Sequence, residues 1–264
     1  MLLINGMPVI HIELKRSGVP VSDAYHQIEK YAHEGVFTGL FSLVQIFVAM
    51  EPNETVYFAN PGPRGMFNRD FYFHWADFNN MPINKWDKIA SSLLSIPMAH
   101  HTVADRADNI LKVMRSYQYF AASKISDKVT NHDWTSGNQL GGYIFHTTGS
   151  GKTMTSFKSA QLISNSGDAD KVLFLVDRIE SLKEYRAFAD ESETVQETEN
   201  TDDLIRKLKS DNYEDRLIVT SIQKMSHMNK IINEYDLEKI RRYRTVFIID
   251  EAHRSTFGEM LADI

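Results

Sequence analysis

The sequence contains no cysteine, which excludes disulfide bonds and thiolate metal sites. It also lacks a long apolar run and a secretory signal pattern, so we expect a cytoplasmic protein with no membrane partner. The formal net charge is −6, so bulk charge does not indicate nucleic-acid binding, and any such site must be a local patch. The 264 residues suit one large domain or two small ones, and a hydrophobic content of 42% is enough for a packed core.

The clearest motif lies at residues 146–153, His-Thr-Thr-Gly-Ser-Gly-Lys-Thr. An apolar run at 142–145 precedes it and predicts a strand, and a helix-compatible run at 154–163 follows it. A strand, a glycine-rich loop and a helix form the context that a phosphate-binding loop requires. The alternative is a Gly/Ser/Thr turn that happens to precede a helix, but the Gly-Lys-Thr ending favours the phosphate loop.

The residue types in this loop suit nucleotide binding. Gly149 and Gly151 allow backbone N–H groups to turn inward onto phosphate oxygens, and the following helix adds its N-terminal dipole. Lys152 would reach the β- and γ-phosphates of ATP, and the Thr153 hydroxyl would hold Mg²⁺. His146 is a departure, because the usual pattern opens with Gly or Ala. The predicted nucleotide-binding residues of the loop are Thr148, Gly149, Ser150, Gly151, Lys152 and Thr153.

A second motif follows a β-branched and aromatic run at 245–249, which ends in Asp250-Glu251-Ala252-His253. The carboxyl ends of parallel strands meet at one edge of a sheet, where a phosphate loop also sits. Asp250 would then hold the water shell of Mg²⁺, and Glu251 would polarise the attacking water. An acidic turn after a buried strand is the alternative, and the loop upstream argues against it.

Strands and helices alternate after the glycine-rich loop. Apolar runs at 171–176 and 216–221 predict buried strands, and helical segments follow them. This alternation predicts a parallel sheet covered by helices. Residues at the ends of these strands suit either helix capping or contacts with nucleic-acid phosphates. They are Arg178, Thr220, Ser221, Gln223 and Lys224.

The first residues predict a β-hairpin. Asn5-Gly6 separates an apolar run at 2–4 from another at 8–15, and Asn-Gly is a strong turn signal. Side chains alternate along a strand, so Glu13 and Lys15 point to one face. A carboxylate and an ammonium group at this spacing can share one metal-and-water site, although a surface salt bridge is the default interpretation.

A helix is predicted next, with Ser22 or Asp23 as its N-cap and Gly35 at its end. Gln27 and Tyr31 lie four residues apart, on one face of this helix. Further along, paired strands are predicted at 43–50 and 55–59 and a helix at 86–96, with one or two helices at 103–129. An aromatic strand is predicted at 71–75, where the rings would fill a core, with stacking on bases as the alternative.

Two groups of these residues resemble motifs of known families. Glu-x-Lys at 13–15, followed by Gln-x-x-x-Tyr at 27–31, resembles the PD-(D/E)xK nuclease domain of type I restriction enzyme motor subunits. The segment around Gln118 resembles the Q motif of superfamily 2 helicases, in which a glutamine reads the adenine edge. A glutamine amide offers one donor and one acceptor, which matches adenine. The alternative is an ordinary exposed glutamine on a helix.

The whole series of motifs is similar to the restriction (R) subunit of a type I restriction–modification system. That resemblance implies an α/β fold, with a partial PD-(D/E)xK nuclease-like domain at 1–95 and a RecA-like parallel sheet with flanking helices at 96–264. It implies ATP and Mg²⁺ as cofactors, and double-stranded DNA and the modification and specificity subunits as partners. The catalytic nuclease residues would be Glu13, Lys15, Gln27 and Tyr31, with Glu13 also holding the metal.

Two departures from the family pattern shape these expectations. The family's metal-binding Asp lies on the strand before Glu-x-Lys, and no Asp occurs here before Asp23, so we expect an incomplete nuclease site. The chain stops shortly after Asp250, before any second RecA-like lobe, so we expect a fragment that binds ATP but is inactive alone. Two other functions stay open, a superfamily 2 helicase with an unrelated N-terminal domain and a non-catalytic module that binds ATP or DNA.

Overall fold

The computed structural model describes residues 1–63, 65–95, 105–107, 110–137, 141–176 and 196–252. The strands are β1 (Leu2–Ile4), β2 (Met7–Leu14), β3 (Ile46–Glu51), β4 (Glu54–Ala59), β5 (Asp105–Ala107), β6 (Ile110–Lys112), β7 (Lys171–Val176), β8 (Gln196–Glu197), β9 (Leu217–Ser221) and β10 (Thr245–Ile249). The helices are α1 (Val21–His33), α2 (Trp86–Ser91), α3 (Ser116–Thr130), α4 (Lys152–Ser166), α5 (Thr201–Leu208), α6 (Ile222–Ile231) and α7 (Glu234–Arg241). The predicted α/β class is therefore confirmed.

The chain divides into two compact units, Met1–Phe120 and Ala121–Ile264. The predicted domain boundary after residue 95 stays a prediction, because these two units are defined by their packing and not by function. None of the helices in the described ranges combines the length and the apolar composition that a membrane span requires.

The first unit contains a mixed sheet in the order β1-β2-β3-β4. Strands β1 and β2 form the predicted hairpin, and both turn residues have positive φ, 50° at Asn5 and 81° at Gly6. This backbone matches the twist of the strands, which is why Asn-Gly favours such turns. Strand β2 pairs in parallel with β3, and β3 pairs antiparallel with β4.

Helix α1 makes the crossover between the parallel strands β2 and β3. Its buried residues Val21, Ala24 and Ile28 pack on Phe47 and Phe58 of the sheet. A second cluster, which includes Ile10, Val48, Tyr57, Trp75 and Ile89, holds the rest of the core of this unit. Both faces of the sheet are therefore covered, and every residue of β3 is buried.

The ends of α1 confirm one prediction and correct another. Gly35 has a φ of 76°, as expected of a glycine that ends a helix. The predicted caps were wrong, because Ser22 and Asp23 already lie within the first turn and the N-cap is Pro20, which makes no side-chain cap. Proline is tolerated at a helix start because its missing N–H would have no partner there.

Other predicted elements of the first unit differ from the structure. Residues 71–75 do not form a regular strand, since only a single bridge joins Phe73 to Tyr57. The core interpretation holds for Trp75, which is buried, whereas Phe71 is exposed. The predicted helix at 103–129 was wrong in its first part, where β5 and β6 form a short antiparallel pair. Its later part is α3.

The second unit contains a sheet in the order β10-β7-β9-β8, with every described pairing parallel. Strands β7 and β9 are wholly buried. In one hydrophobic cluster, Phe157 and Ile163 of α4 pack on Phe174 of the sheet. A second cluster contains Leu204 of α5 and Met225 of α6, which pack on the opposite face of the sheet. The predicted parallel sheet with flanking helices is therefore confirmed.

Strand β7 begins at Lys171, whose side chain is buried and fully hydrogen-bonded. Its Nζ donates hydrogen bonds to the carbonyl oxygens of Lys207 (2.9 Å), Ser210 (2.7 Å) and Asp215 (2.9 Å). Burial lowers the pKa of this ammonium group. The lysine thereby fastens the end of α5 and the loop before β9 to the start of β7, and the contact is structural.

The strand predicted at 142–145 is absent, because residues 141–147 have no regular secondary structure. Tyr143 and Phe145 are largely exposed, at 92% and 86%. A strand is stabilised by its ladder partners more than by its own composition. The apolar run alone therefore did not determine the structure here.

Candidate functional site

The glycine-rich loop has a backbone that suits close approach of an anion. Gly149 and Gly151 have φ values of 77° and 80°, and Gly151 is the N-cap of α4. The Ser150 N–H and hydroxyl both contact the Thr147 carbonyl oxygen, at 3.2 and 2.6 Å. A methyl group placed on the Gly149 Cα would meet no atom within 4 Å. The loop is therefore open at Gly149 and lies at the N-terminus of α4, a position that suits a phosphate group.

The end of β10 brings a carboxylate to this loop. Lys152 Nζ lies 3.3 Å from Glu251 Oε1, although the two residues are far apart in sequence. Glu251 has a φ of 55°, which is unusual for a residue with a side chain. Asp250 is buried, and its Oδ1 accepts a hydrogen bond of 2.9 Å from the Glu251 N–H. The structure thus brings together the two motifs that the sequence singled out.

His146 stands at the entrance of the loop. Burial lowers the pKa of its imidazole, and the positive charge of Lys152 lowers this pKa further. The ring is therefore neutral near pH 7, so it adds no charge that would compete with Lys152 for a phosphate.

Gln118 lies in the first turn of α3 and is buried. Its Oε1 accepts a hydrogen bond of 2.8 Å from the Arg115 N–H, so the amide oxygen caps the start of the helix. The alternative of an ordinary exposed glutamine was wrong, because the side chain is not exposed. The adenine-reading role stays a prediction.

The polar residues at the end of β9 make hydrogen bonds within the protein. Ser221 is the N-cap of α6, and its hydroxyl accepts from the Lys224 N–H at 3.3 Å. The Thr220 hydroxyl is buried and bonds Thr198 at 2.8 Å. The Lys224 ammonium group donates to the Thr198 carbonyl oxygen. Of the two interpretations left open, capping accounts for Ser221. Arg178 and His253 lie outside the described residues.

The predicted nuclease residues surround one face of β2. Glu13 Oε1 accepts a hydrogen bond of 3.1 Å from Lys15 Nζ. Lys15 and Gln27 line the same surface cavity of about 410 Å³. The ring of Tyr31 lies 6.4 Å from that of His11, whose Nε2 is 3.8 Å from Glu13 Oε2. Among the described residues there is no group of three or more histidine and acidic side chains that could hold a metal ion.

The sequence analysis missed His11. His11 lies two residues before Glu13 on β2, so the same argument that placed Glu13 and Lys15 on one face also places His11 there.

Comparison with known proteins is consistent with both motif groups. Residues 1–65 match the type I restriction enzyme R protein N terminus family, and residues 117–264 match the SWI2/SNF2 ATPase family. The type I restriction enzyme SauMSSORF170P endonuclease subunit of Staphylococcus aureus (strain MSSA476) is 38% identical over 98% of this chain and 27% of its own length.

Two further relatives are shorter or more distant. The C-terminal part of the type I restriction enzyme MpnIIP endonuclease, from Mycoplasma pneumoniae, is 37% identical over 72% of this chain and 97% of its own length. The type I restriction enzyme EcoprrI endonuclease subunit of Escherichia coli is 33% identical over 48% of this chain and 43% of its own length. The chain thus spans 27% of the length of the staphylococcal relative, and it belongs to the family of type I restriction enzyme endonuclease (R) subunits, with a SWI2/SNF2 ATPase region.

Proposed function

We propose that this chain acts in an R subunit of a type I restriction–modification system, where it binds ATP and Mg²⁺ and takes part in ATP-dependent translocation and cleavage of double-stranded DNA. The observation that carries the proposal is the 3.3 Å approach of Lys152 to Glu251, which joins the glycine-rich loop to the acidic strand end. Its partners would be the modification and specificity subunits, and its compartment the cytoplasm.

The two folds expected from the resemblance are part of this proposal. The sheet of the second unit would be RecA-like, since its parallel strand β10 is followed by Asp250 and Glu251, and Glu251 contacts Lys152 of the glycine-rich loop. The sheet of the first unit would be a PD-(D/E)xK nuclease core. The match of residues 1–65 to the R protein N terminus weighs against a helicase with an unrelated N-terminal domain.

In the ATPase site, each group of the chain would have a distinct task. The backbone N–H groups of residues 148–153 would cradle the phosphates, and Lys152 would place its charge on the β- and γ-phosphates. Thr153 and Asp250 fit a cation, because a hydroxyl and a carboxylate are hard oxygen donors, and Mg²⁺ when bound would neutralise phosphate charge. Glu251 would accept a proton from the attacking water.

In the nuclease site, Glu13 and Lys15 would act on the phosphodiester backbone of DNA. Lys15 lies 3.1 Å from the carboxylate, so it can hold Glu13 in one orientation and contact a scissile phosphate. Gln27, which lines the cavity beside Lys15, would position the DNA backbone, and Tyr31 would complete the site.

We further propose that the isolated chain binds nucleotide but turns it over slowly, since Lys152 and Glu251 neutralise each other in this arrangement. A module that only holds nucleotide or DNA is the alternative. Steady-state ATP hydrolysis separates the two, because a binding module would show none with or without duplex DNA.

The test of the nucleotide site is Lys152→Ala, with Lys158→Ala on the same helix as the control. Removing the Lys152 charge should abolish binding of ADP and ATP in the presence of Mg²⁺, measured by calorimetry, because this group reaches the β- and γ-phosphates. Lys158 lies beyond the loop, and its replacement should leave the affinity unchanged. Unchanged affinity in Lys152→Ala would exclude the assignment.

A further inference from the structure

A surface cavity of about 410 Å³ lies where the chain passes from β2 into α1. Lys15, which bonds Glu13, and Gln27 are two of its lining residues. The proposed nuclease function gives no role to the others. They are Val19, Asp23, His26 and Lys30.

The Arg69 guanidinium group fixes the state of the His26 ring. Arg69 Nη2 lies 2.8 Å from His26 Nε2. A guanidinium group can only donate hydrogen bonds, so Nε2 accepts and the ring proton is on Nδ1. Arg69 is itself held by Glu29 Oε2 at 3.5 Å and by the ring of Tyr25, whose centroid is 5.3 Å away. His26 therefore adds an N–H donor to the lining of the cavity.

Lys30 adds a positive charge to the cavity, one helical turn after His26 on α1. Its Nζ lies 3.7 Å from Glu34 Oε1, and both side chains are more than half exposed. Water screens such a pair, so Lys30 can exchange this carboxylate for another anion. The carboxylate of the lining, Asp23, lies about 10 Å before Lys30 along the helix axis. The end of the cavity at Lys30 is therefore the end that suits an anion.

We propose that this cavity binds a phosphodiester group of the DNA backbone, next to the one that Glu13 and Lys15 would act on. Lys30 supplies the charge and His26 Nδ1 donates a hydrogen bond. Arg69 is a positioning residue, because it keeps the His26 proton on Nδ1. Contacts of this kind fix the register of a duplex without reading its sequence. The inference rests on the proposed nuclease function, and it names the contact that would hold the DNA at that site.

The test is the affinity of the full, nucleotide-free chain for duplex DNA, measured by fluorescence anisotropy over a range of salt concentrations. Lys30→Gln should weaken binding several-fold on two duplexes of unrelated sequence, because a phosphate contact is independent of sequence. It should also reduce the slope of log affinity against log salt concentration by about 0.9, the value for one phosphate contact.

Lys88→Gln is the matched control for this substitution. It removes an exposed lysine of α2, and α2 packs on the face of the sheet opposite to α1. The change in formal charge is the same, so a general electrostatic effect would appear in both variants. Equal effects of Lys88→Gln and Lys30→Gln would overturn the inference.

A second set of variants tests the positioning role of Arg69. Arg69→Met should weaken DNA binding without changing the salt slope, and it should add nothing to His26→Ala, because it acts through His26. The nitrogen chemical shifts of the His26 ring, measured by NMR, should show a proton on Nδ1 in the wild type and lose this preference in Arg69→Met. A lower salt slope in Arg69→Met would mean that Arg69 itself holds the phosphate, and the positioning role would fail.

A gain in affinity separates an anion site from a general loss of folding. Asp23→Asn should tighten DNA binding, because it removes the carboxylate of the lining, and a partly unfolded protein would not bind more tightly. If the wild type binds duplex DNA but Asp23→Asn and Lys30→Gln change neither affinity nor salt slope, this face of α1 is only solvated. The inference then fails and the proposed function stands. If the wild type binds no duplex DNA, the proposed DNA role of this chain fails, and the inference with it.

Discussion

Lys152 is partly neutralised before any nucleotide arrives. Its ammonium group lies 3.3 Å from Glu251, and the two side chains are 28% and 30% exposed. A pair this exposed is worth roughly 1 kcal/mol or less, since water screens it. A phosphate that binds Lys152 must displace this carboxylate, so nucleotide binding at the loop would be an exchange of one anion for another.

Glu251→Gln should therefore tighten ADP binding, by about two- to fivefold, because Lys152 no longer has a competing carboxylate. AMP affinity should stay the same, since Lys152 reaches only the β- and γ-phosphates. Calorimetry with each nucleotide measures both effects. Glu199→Gln, which removes an exposed carboxylate of the same unit, is the matched control. A weaker ADP affinity in Glu251→Gln would contradict the competition.

At the scale of single residues, the sequence indicated which side chains carry chemistry but not their partners. The spacing of Glu13 and Lys15 on β2 follows from strand alternation, and the structure confirms their contact. The bond from Arg115 to Gln118 was not predictable, because it depends on where the backbone leaves β6 and enters α3. The approach of Lys152 to Glu251 required the two motifs to share a sheet edge, which the sequence did indicate.

At the scale of elements, strand predictions were correct for the long apolar runs. They failed where strand formation depends on a neighbouring strand. The runs that form β3, β4, β7 and β9 are strongly apolar, and burial on a sheet follows from that composition. Residues 142–145 have a similar composition but no strand structure. Strand formation depends on a neighbouring ladder, and sequence composition does not specify that ladder.

One pair of charges fixes the starts of β7 and β10 beside each other. Arg244 donates to both carboxylate oxygens of Asp170, at 2.8 and 3.1 Å, and its Nη2 also reaches the Gly167 carbonyl oxygen at 3.1 Å. The hydrogen bonds from Arg244 lower the pKa of Asp170. A carboxyl with a lowered folded-state pKa stabilises the fold above its unfolded pKa, and this contribution is lost as the pH falls through the folded value.

Asp170→Asn should accordingly lower the free energy of unfolding at pH 7 by about 1 kcal/mol, a figure discounted because the pair is partly exposed. The difference from wild type should shrink as the pH falls from about 4, the usual pKa of an aspartate, towards the lower folded-state pKa. Urea unfolding followed across this range measures it. Glu238→Gln, at an exposed position of α7, should have little effect at either pH. A difference that grows on acidification would refute the role of Arg244.

At the scale of the whole molecule, each unit has its own hydrophobic core. The described clusters draw their members either from residues up to Phe120 or from residues after it. Ile28 and Ile163 are both fully buried, one in each unit. These two residues therefore offer matched positions for testing whether stability and nucleotide binding belong to separate units.

Ile28→Ala should lower the stability of the first unit by about 2–5 kcal/mol, because it leaves a cavity under α1. ADP affinity should be unchanged, since the glycine-rich loop belongs to the second unit. Ile163→Ala, on α4, should instead weaken ADP binding along with the stability of its own unit. Thermal unfolding and calorimetry on both variants give the comparison, and a loss of ADP affinity in Ile28→Ala would show that the units are not independent.

The exposed aromatic side chains before the glycine-rich loop also affect how the protein behaves in solution. Tyr143 and Phe145 lie close together in sequence, and Phe247 on β10, one of the two outer strands described for its sheet, is 43% exposed. Apolar surface of this kind promotes self-association. The net charge of −6 opposes it by mutual repulsion between molecules. Added salt screens that repulsion. Concentrated solutions of this chain should therefore self-associate least at low ionic strength.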